Sequence, residues 1–377
     1  MNDYLLADDL SGALDAAAAF HHSGRRVRIV WSTEAWRAAG PEEVVAFTTE
    51  TRNASADAAA SAVTAAMTFG TRRKDRLRYK KIDSTLRGPV AAELAAVLAA
   101  LPEHNVLFLP ANPAVGRTVR NEVLLVNGVP VAQTEFGRDP ASPVRESSIR
   151  RLLAAVATER VIIADAETDA DFEAAVRHVH QLGREWVGIG SGALARFVAP
   201  LCVTPAIASR PPSEPPAGPI LMICGSAHPQ NHAQAQTLAR DSNVPVITVA
   251  AEKPDAAARA ARRALDADGA ATLMLESTRT ERAAALHAIT VAAVNVIEAA
   301  GVSRLFVTGG ETAFAIGQAL AVDSLNFQTE IEPGLSVSAG IIHGRNAWFA
   351  IKPGGFGDAQ TWVRAWRALT TPERFQN

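Results

Sequence analysis

The sequence predicts an α/β protein of two domains, each a mostly parallel sheet flanked by helices, and three observations predict it. Its 377 residues exceed the size at which a single core stops growing. Short apolar runs alternate with longer helical ones along most of the chain, the rhythm of parallel strands joined by crossover helices. In the middle the rhythm breaks at Pro211-Pro212-Ser213-Glu214-Pro215-Pro216, a semi-rigid linker. The expected division is residues 1–205, a linker over 206–218, and residues 219–377.

Composition narrows the class. A hydrophobic fraction of 48% supplies an ample core, and a net charge of −2 gives no field to draw nucleic acid or an anionic membrane. Cys202 and Cys224 are too few for a disulfide framework and suit a reducing cytoplasm. Residues 1–10 carry no basic segment leading into an apolar run, so no signal peptide is expected. No apolar run is expected to reach the ~18 residues of a membrane span. The expectation is a soluble cytoplasmic protein.

Taken in order, the first strand is Tyr4 to Ala7, and it ends in Asp8-Asp9 before a helix over Ala13 to Phe20. Neighbouring strand residues point in opposite directions, so one aspartate faces a crevice while the other caps the helix or holds a cation. Strands follow at Val27–Trp31 and Val44–Thr48, the latter running out through Thr49, Glu50 and Thr51 to Arg52. After a helix over Ala54 to Thr68, a strand leads into Lys80-Lys81-Ile82-Asp83-Ser84-Thr85-Leu86-Arg87-Gly88-Pro89, and a helix over Val90 to Ala100 leaves it. A helix cap needs one polar side chain, whereas Lys80, Lys81, Asp83, Ser84, Thr85 and Arg87 crowd this turn. Such crowding at a strand's carboxyl end marks a ligand crevice in an open α/β sheet. Cations beside hydroxyls suit a carboxylate or a phosphate.

After the strand Val106 to Leu109 comes a polar loop holding Gly116-Arg117-Thr118-Val119. An Asn127-Gly128 hairpin follows, the favoured two-residue turn, and then a helix expected to open over Asp139 to Val144. Strand Val161–Ala164, helix Asp169–Leu182 and strand Trp186–Ile189 continue the sheet. Gly188 to Ala193 fits the dinucleotide pattern G-x-G-x-x-G/A, but prolines replace the second strand and acid that the fingerprint needs. It reads better as a tight strand-to-helix turn.

Beyond the linker, strand Ile220–Ile223 ends in Cys224-Gly225-Ser226, and Gly then Ser at a helix start can hold a phosphate. His228 and His232 stand four apart without the glutamate or the third ligand of a metal site, so no metal ligands are assigned. Strands Val246–Val249, Thr272–Leu275 and Leu305–Val307 follow. The last ends in Thr308-Gly309-Gly310-Glu311, where two glycines permit close approach of a phosphate or ribose and Glu311 could hold a ribose hydroxyl or Mg²⁺. Strand Phe349–Ile351 ends in Lys352-Pro353-Gly354-Gly355-Phe356-Gly357-Asp358. Three glycine-rich strand ends in one domain, one led by a lysine, signal a nucleotide; no Walker A sequence occurs, so this is not a P-loop enzyme.

With these residues in hand, the chain resembles the four-carbon acid sugar kinases. The resemblance is carried by Ala7-Asp8-Asp9-Leu10-Ser11-Gly12-Ala13, Lys80 to Gly88, Gly116 to Val119, Thr308 to Ala313 and Lys352 to Gly357, in the family's order. It implies ATP-dependent phosphorylation of threonate, erythronate or an oxo-tetronate, with a substrate domain before the proline run and a nucleotide domain after it. The substrate contacts it implies fall on Asp9, Arg52 and Lys81 to Ser84, with Asp8 and Arg87 beside them. The nucleotide contacts fall on Ser226, Gly309, Gly310 and Gly354 to Gly357, with Glu311 adjacent. On this reading Arg52 and Lys81 clamp the substrate carboxylate, Asp9 or Asp83 serves the attacking hydroxyl, and Lys352 with Mg²⁺ offsets phosphate charge. The active site is expected in a cleft between the domains, and a homo-oligomer stays open. Two other classes remain to be separated: a non-catalytic regulator that binds sugar acid and nucleotide, and a nicotinamide-dependent oxidoreductase resting on Gly188 to Ala193.

Overall fold

The computed structural model describes residues 2–156, 158–206, 213–226, 228–276 and 281–371. The chain forms two compact units, Met1–Ser209 and Arg210–Asn377. Of the proline-rich stretch expected as a linker, residues 207–212 lie outside the described residues.

The first unit runs β1 (Asp3–Ala7), α1 (Leu10–His22), β2 (Arg26–Val30), α2 (Thr33–Arg37), β3 (Glu43–Thr48), α3 (Ala56–Arg73), β4 (Arg76–Lys81), α4 (Val90–Ala100) and β5 (Asn105–Leu109). An excursion of β6 (Arg117–Arg120), β7 (Val123–Val126), β8 (Val129–Pro130) and α5 (Ile149–Leu152) follows. The unit then returns to its sheet with β9 (Val161–Ile163), α6 (Asp169–Gln181), β10 (Trp186–Gly190) and α7 (Gly192–Val198). The main sheet is parallel, in the order β2-β3-β1-β4-β10-β5-β9. Every residue of β1 and β5 is buried, as a sheet covered on both faces requires. The chain steps outward from β1 to β2, returns through β3, and crosses to the other side of β1 as β4. The direction of winding therefore reverses at β1, and its carboxyl end is where such sheets bind ligands.

The Asn-Gly hairpin forms as expected. Asn127 and Gly128 both take positive φ, +49° and +80°, between β7 and β8. The helix expected from Asp139 does not form. Asp139 and Ser142 each precede a proline, which disfavours the helical region, and Asp139 instead accepts from the backbone N–H groups of Ala141 and Ser142 at 2.9 Å. A helix starts only at α5, capped by Ser148.

The second unit contains β11 (Ile220–Cys224), α8 (Pro229–Ser242), β12 (Val246–Val249), α9 (Pro254–Asp268), β13 (Ala270–Leu275), α10 (Arg282–Ala300), β14 (Arg304–Thr308), α11 (Gly310–Ala319), β15 (Ser324–Glu332), β16 (Leu335–Ile342), β17 (Arg345–Lys352) and α12 (Thr361–Thr370). Its strand order is β12-β13-β11-β14-β17-β16-β15; the first five are parallel and the last two form an antiparallel meander with β17. The winding reverses at β11 as it does at β1. Strands β15 and β16 were not among the expected elements, although Leu325 and Phe327 alternate with polar neighbours and Gly334 marks the turn. Helix α12 closes the core by burying Trp362 edge-on to Phe306, with ring centroids 5.2 Å apart.

One composition reading needs correction. Helix α10 has 19 residues and a mean hydropathy of 1.6, so it is long and apolar enough to cross a membrane. It connects β13 to β14, which both pair with β11, so here it serves as a crossover helix on a sheet.

Candidate functional site

In the first unit the carboxyl ends of β1, β3 and β4 converge on one charged cluster. Asp9 caps α1, accepting from Gly12 N at 2.6 Å and from Ser11 Oγ at 2.5 Å. Asp8 is buried beside it. Arg52 joins them: its guanidinium donates to both Asp8 oxygens at 2.8 and 2.9 Å and to both Asp9 oxygens at 2.7 Å. Burial pushes the Asp8 carboxyl up, but Arg52, Lys80 and Lys81 together bring it below the usual range. Arg52 is thus saturated by protein carboxylates, with Asp83 a further 4.0 Å away.

The central turn sorts its residues by depth. The ammonium of Lys80, fully buried, pairs with Glu93 of α4 at 2.8 Å, and Thr51 donates to the same carboxylate, so this lysine braces the scaffold. Ile82 is also buried, its N–H bonded to Gly190 O at 2.9 Å. Lys81 turns the other way, toward Asp15 of α1 at 3.4 Å. A Cβ on Gly12 would lie 2.7 Å from Asp9 Oδ1, 3.3 Å from Lys81 Nζ and 3.4 Å from Asp8 Oδ1, which explains the glycine: three charged groups crowd its Cα.

Asp83 accepts from Thr85 and from Arg87 Nε and Nη2, both at 2.9 Å. Burial works to raise its carboxyl, yet Arg87 and Arg52, with Arg117 behind them, hold it well below the usual carboxylate range. The excursion after β5 supplies the rest. Arg117 donates to Ser84, Asp139 takes Arg87 Nη1 at 3.3 Å, and both guanidiniums lie over the Phe136 ring, Arg87 at 5.6 Å and Arg117 at 5.4 Å from its centre. Asp15, Phe136, Asp139 and Arg117 were not among the expected site residues. Arg117 stood inside a quoted motif, whereas the other three carried no local signal.

Gly188 to Ala193 ends β10 and starts α7. A Cβ on Gly190 would strike Leu109 O of the neighbouring strand, and Ser191 caps α7 through Ala193 N at 3.1 Å. Gly190 thus serves strand packing, and Gly192 on α7 leaves room for the Asp15 carboxylate, which a Cβ there would strike.

In the second unit the ends of β11, β14 and β17 also converge, but on backbone. A Cβ on Gly225 would strike Thr312 Oγ1, and one on Gly354 would strike Ser226 Oγ; Gly309, at φ +104°, has Thr312 and Ser226 as its near neighbours. Gly309 begins α11 without any side-chain cap, so the first N–H groups of that helix, on Gly310, Glu311 and Thr312, have no side-chain acceptor there. Among the described residues, Thr308 Oγ1 and Asn231 Nδ2 are buried without a hydrogen-bond partner.

Lys352 is fully buried and turned inward: Nζ donates to Asn231 Oδ1 at 3.2 Å and to the carbonyls of Pro353, Gly354 and Phe356 at 3.0, 3.2 and 2.9 Å. It shapes the loop that contains Gly355 and Gly357. Burial brings its ammonium down to about 8. Gln234 of α8 holds the same loop at Phe356 O and Asp358 O. Glu311 is paired with Arg282, 3.1 Å from its Nε. His228 caps α8, and among the described residues no cluster of three His, Cys, Asp or Glu side chains could hold a metal.

Comparison with known proteins meets this geometry. Residues 4–161 match the model of a sugar-binding N-terminal domain and residues 221–362 that of a nucleotide-binding C-terminal domain. The chain is 32% identical to a D-threonate kinase of Bordetella bronchiseptica, over 97% of this chain and 96% of the relative. It is 27% identical to a 3-oxo-tetronate kinase of Brucella melitensis, over 94% and 92%. In fold it is similar to the crystal structure of a Salmonella typhimurium LT2 protein, with a TM-score of 0.79 at 22% identity, over 97% of this chain and 99% of that one.

Proposed function

The chain belongs to the four-carbon acid sugar kinases, and from that premise we propose that it moves the terminal phosphoryl group of ATP onto a hydroxyl of threonate, erythronate or an oxo-tetronate. It is a phosphotransferase acting on a sugar acid. The observation that carries the finer reading is the pairing, in one chain, of a charged strand-end cluster with a glycine-walled one. Such an enzyme acts in the cytoplasm, in carbohydrate breakdown.

The residues divide as phosphoryl transfer requires, by positioning and charge compensation rather than covalent work. Lys81 and Arg117 are the cations for the substrate carboxylate, a shift from the expected Arg52–Lys81 clamp, because Arg52 is saturated by Asp8 and Asp9. Ser84, Asp9 and Asp83 face the sugar hydroxyls, and Arg87 fixes Asp83. The second unit's features fit a nucleotide: uncapped N–H groups at the start of α11 suit a phosphate, and the partnerless Thr308 and Asn231 groups offer further donors. Ser226, Gly309, Gly310 and Gly354 to Gly357 would hold it. ATP supplies the phosphoryl group, and Mg²⁺ would arrive with its phosphates, since Glu311 is committed to Arg282. Lys352 would act by shaping the loop rather than by touching phosphate.

Incubation with ATP, Mg²⁺ and a panel of tetronates, read for ADP, tests the proposal. ADP release with at least one of them is expected. Binding without release would favour a regulator on the same fold.

A further inference from the structure

The carboxylates around the first unit's strand ends are nearly all committed to cations. Asp8 and Asp9 share Arg52, Asp83 holds Arg87, Asp15 faces Lys81, and Asp139 faces Arg87. Glu50 differs. Among the described residues it forms no ion pair, and its one hydrogen bond comes from Thr48 Oγ1 at 2.5 Å. It lies two residues beyond β3, in the turn that leads to Arg52. Its backbone is left-handed, at φ +51°, a conformation that any residue with a Cβ resists. That turn brings the N–H groups of Thr51 and Arg52 onto Asp8 O, at 2.8 and 3.1 Å, and so returns Arg52 over the paired aspartates. A strained, non-glycine residue held in a site by its neighbours signals use.

We propose that Glu50 is the general base of the transfer, taking the proton from the sugar-acid hydroxyl as that oxygen attacks. The hydroxyl O–H bond breaks and its proton passes to a Glu50 carboxylate oxygen. The O–P bond forms while the bond from phosphorus to the bridging oxygen breaks, and that electron pair leaves with ADP. This inference rests on the kinase reading above.

Chemistry supports the choice. Burial first, and then the nearby Asp9, push the Glu50 carboxyl up to about 8; Asp8 adds to this, while Thr48 and Arg52 work against it. A base whose affinity for protons lies near working pH accepts one more readily than Asp8 or Asp83, both held low by arginines.

The test is kcat/KM against pH, with the full chain, ATP, Mg²⁺ and the tetronate giving most ADP. The wild-type profile should rise through about 8. Glu50→Gln should lose on the order of 10²-fold and lack that limb, while Glu50→Asp keeps part of both. Glu50→Gly relaxes the left-handed turn and should still lack the limb, which separates chemistry from backbone strain. Lys352 titrates in the same range in every variant, so the difference between profiles is the readout. A limb that persists in Glu50→Gln, or activity there within about twofold of wild type, overturns the base assignment and leaves the kinase reading intact. Silence with every sugar acid would sink both.

Discussion

The two units arrange their strands alike and fill the resulting edge by opposite means. Each places its second, third, first and fourth strands side by side, β2-β3-β1-β4 in one and β12-β13-β11-β14 in the other, so the winding reverses at the first strand of each. At that edge the first unit gathers ionised side chains: Asp8, Asp9, Arg52, Lys81, Asp83 and Arg87. The second gathers Gly225, Gly309 and Gly354 and leaves a helix start uncapped. On the proposed reading, topology sets where each ligand binds and the residue class sets what binds. A small polyhydroxy acid needs directional side-chain partners, whereas a polyphosphate is held by backbone N–H groups that only a missing Cβ lets it reach.

The comparison breaks first at Arg52. If the first unit's edge is a charge network, removing its centre leaves Asp8 and Asp9 without their counter-ion, and Asp8 is buried. Uncovering a buried ion pair costs about 3–5 kcal/mol, so Arg52→Ala should melt roughly 10 °C lower and lose activity with its fold. Arg52→Lys should fall between, because an ammonium cannot bridge two carboxylates in bidentate fashion. A thermal midpoint unchanged in Arg52→Ala would free Arg52 for the substrate carboxylate, as first expected from the sequence.

How much of this was legible follows the same divide. The placement of Asp9, Arg52 and Asp83 at one edge could be read because strand rhythm fixes which end of each strand its polar tail leaves by. The commitments among them could not. Whether Arg52 meets a substrate or two aspartates depends on the turn at Glu50, and its left-handed φ leaves no mark in the sequence. Lys352 was legible as a lysine before glycines, but its inward turn depends on Asn231, on a helix more than 100 residues away in sequence. Phe136 and Asp139 reach the cluster only through the excursion after β5. Strands β15 and β16 differ again: their period-two pattern, Leu325 and Phe327 in one and Leu335 and Val337 in the other, stands openly in the sequence.

Asp83 gives the next largest effect. An asparagine fills the same space and keeps the hydrogen bond from Thr85, so the fold should hold. It removes the charge that fixes Arg87 and faces Arg52. A loss of about 10²-fold in kcat is expected, the scale of deleting one preorganised electrostatic group. Near-normal kcat would move that role to Asp9 and make Asp83 part of the scaffold alone.

The smallest and most selective test falls on the second unit. Gly225 follows β11, its N–H bonded to Thr308 O at 3.3 Å, and its φ is not positive, so an alanine there meets no backbone objection. The obstacle is spatial: the new methyl would run into Thr312, on the first turn of α11 beside the uncapped N–H groups. Relieving the clash means displacing either that turn or the Gly225–Ser226 segment, at about 1–3 kcal/mol. If these elements hold the nucleotide, KM for ATP should rise about tenfold while KM for the sugar acid stays within about twofold. Thr312→Ala in the same chain removes the two nearest atoms, Oγ1 and Cγ2, and leaves only Cβ, 2.9 Å from the new methyl, so it should recover part of the loss, a coupling that independent sites would not show. An equal rise in both KM values would mean that the substitution disturbs the fold as a whole, and the glycine wall would then need no ligand to explain it.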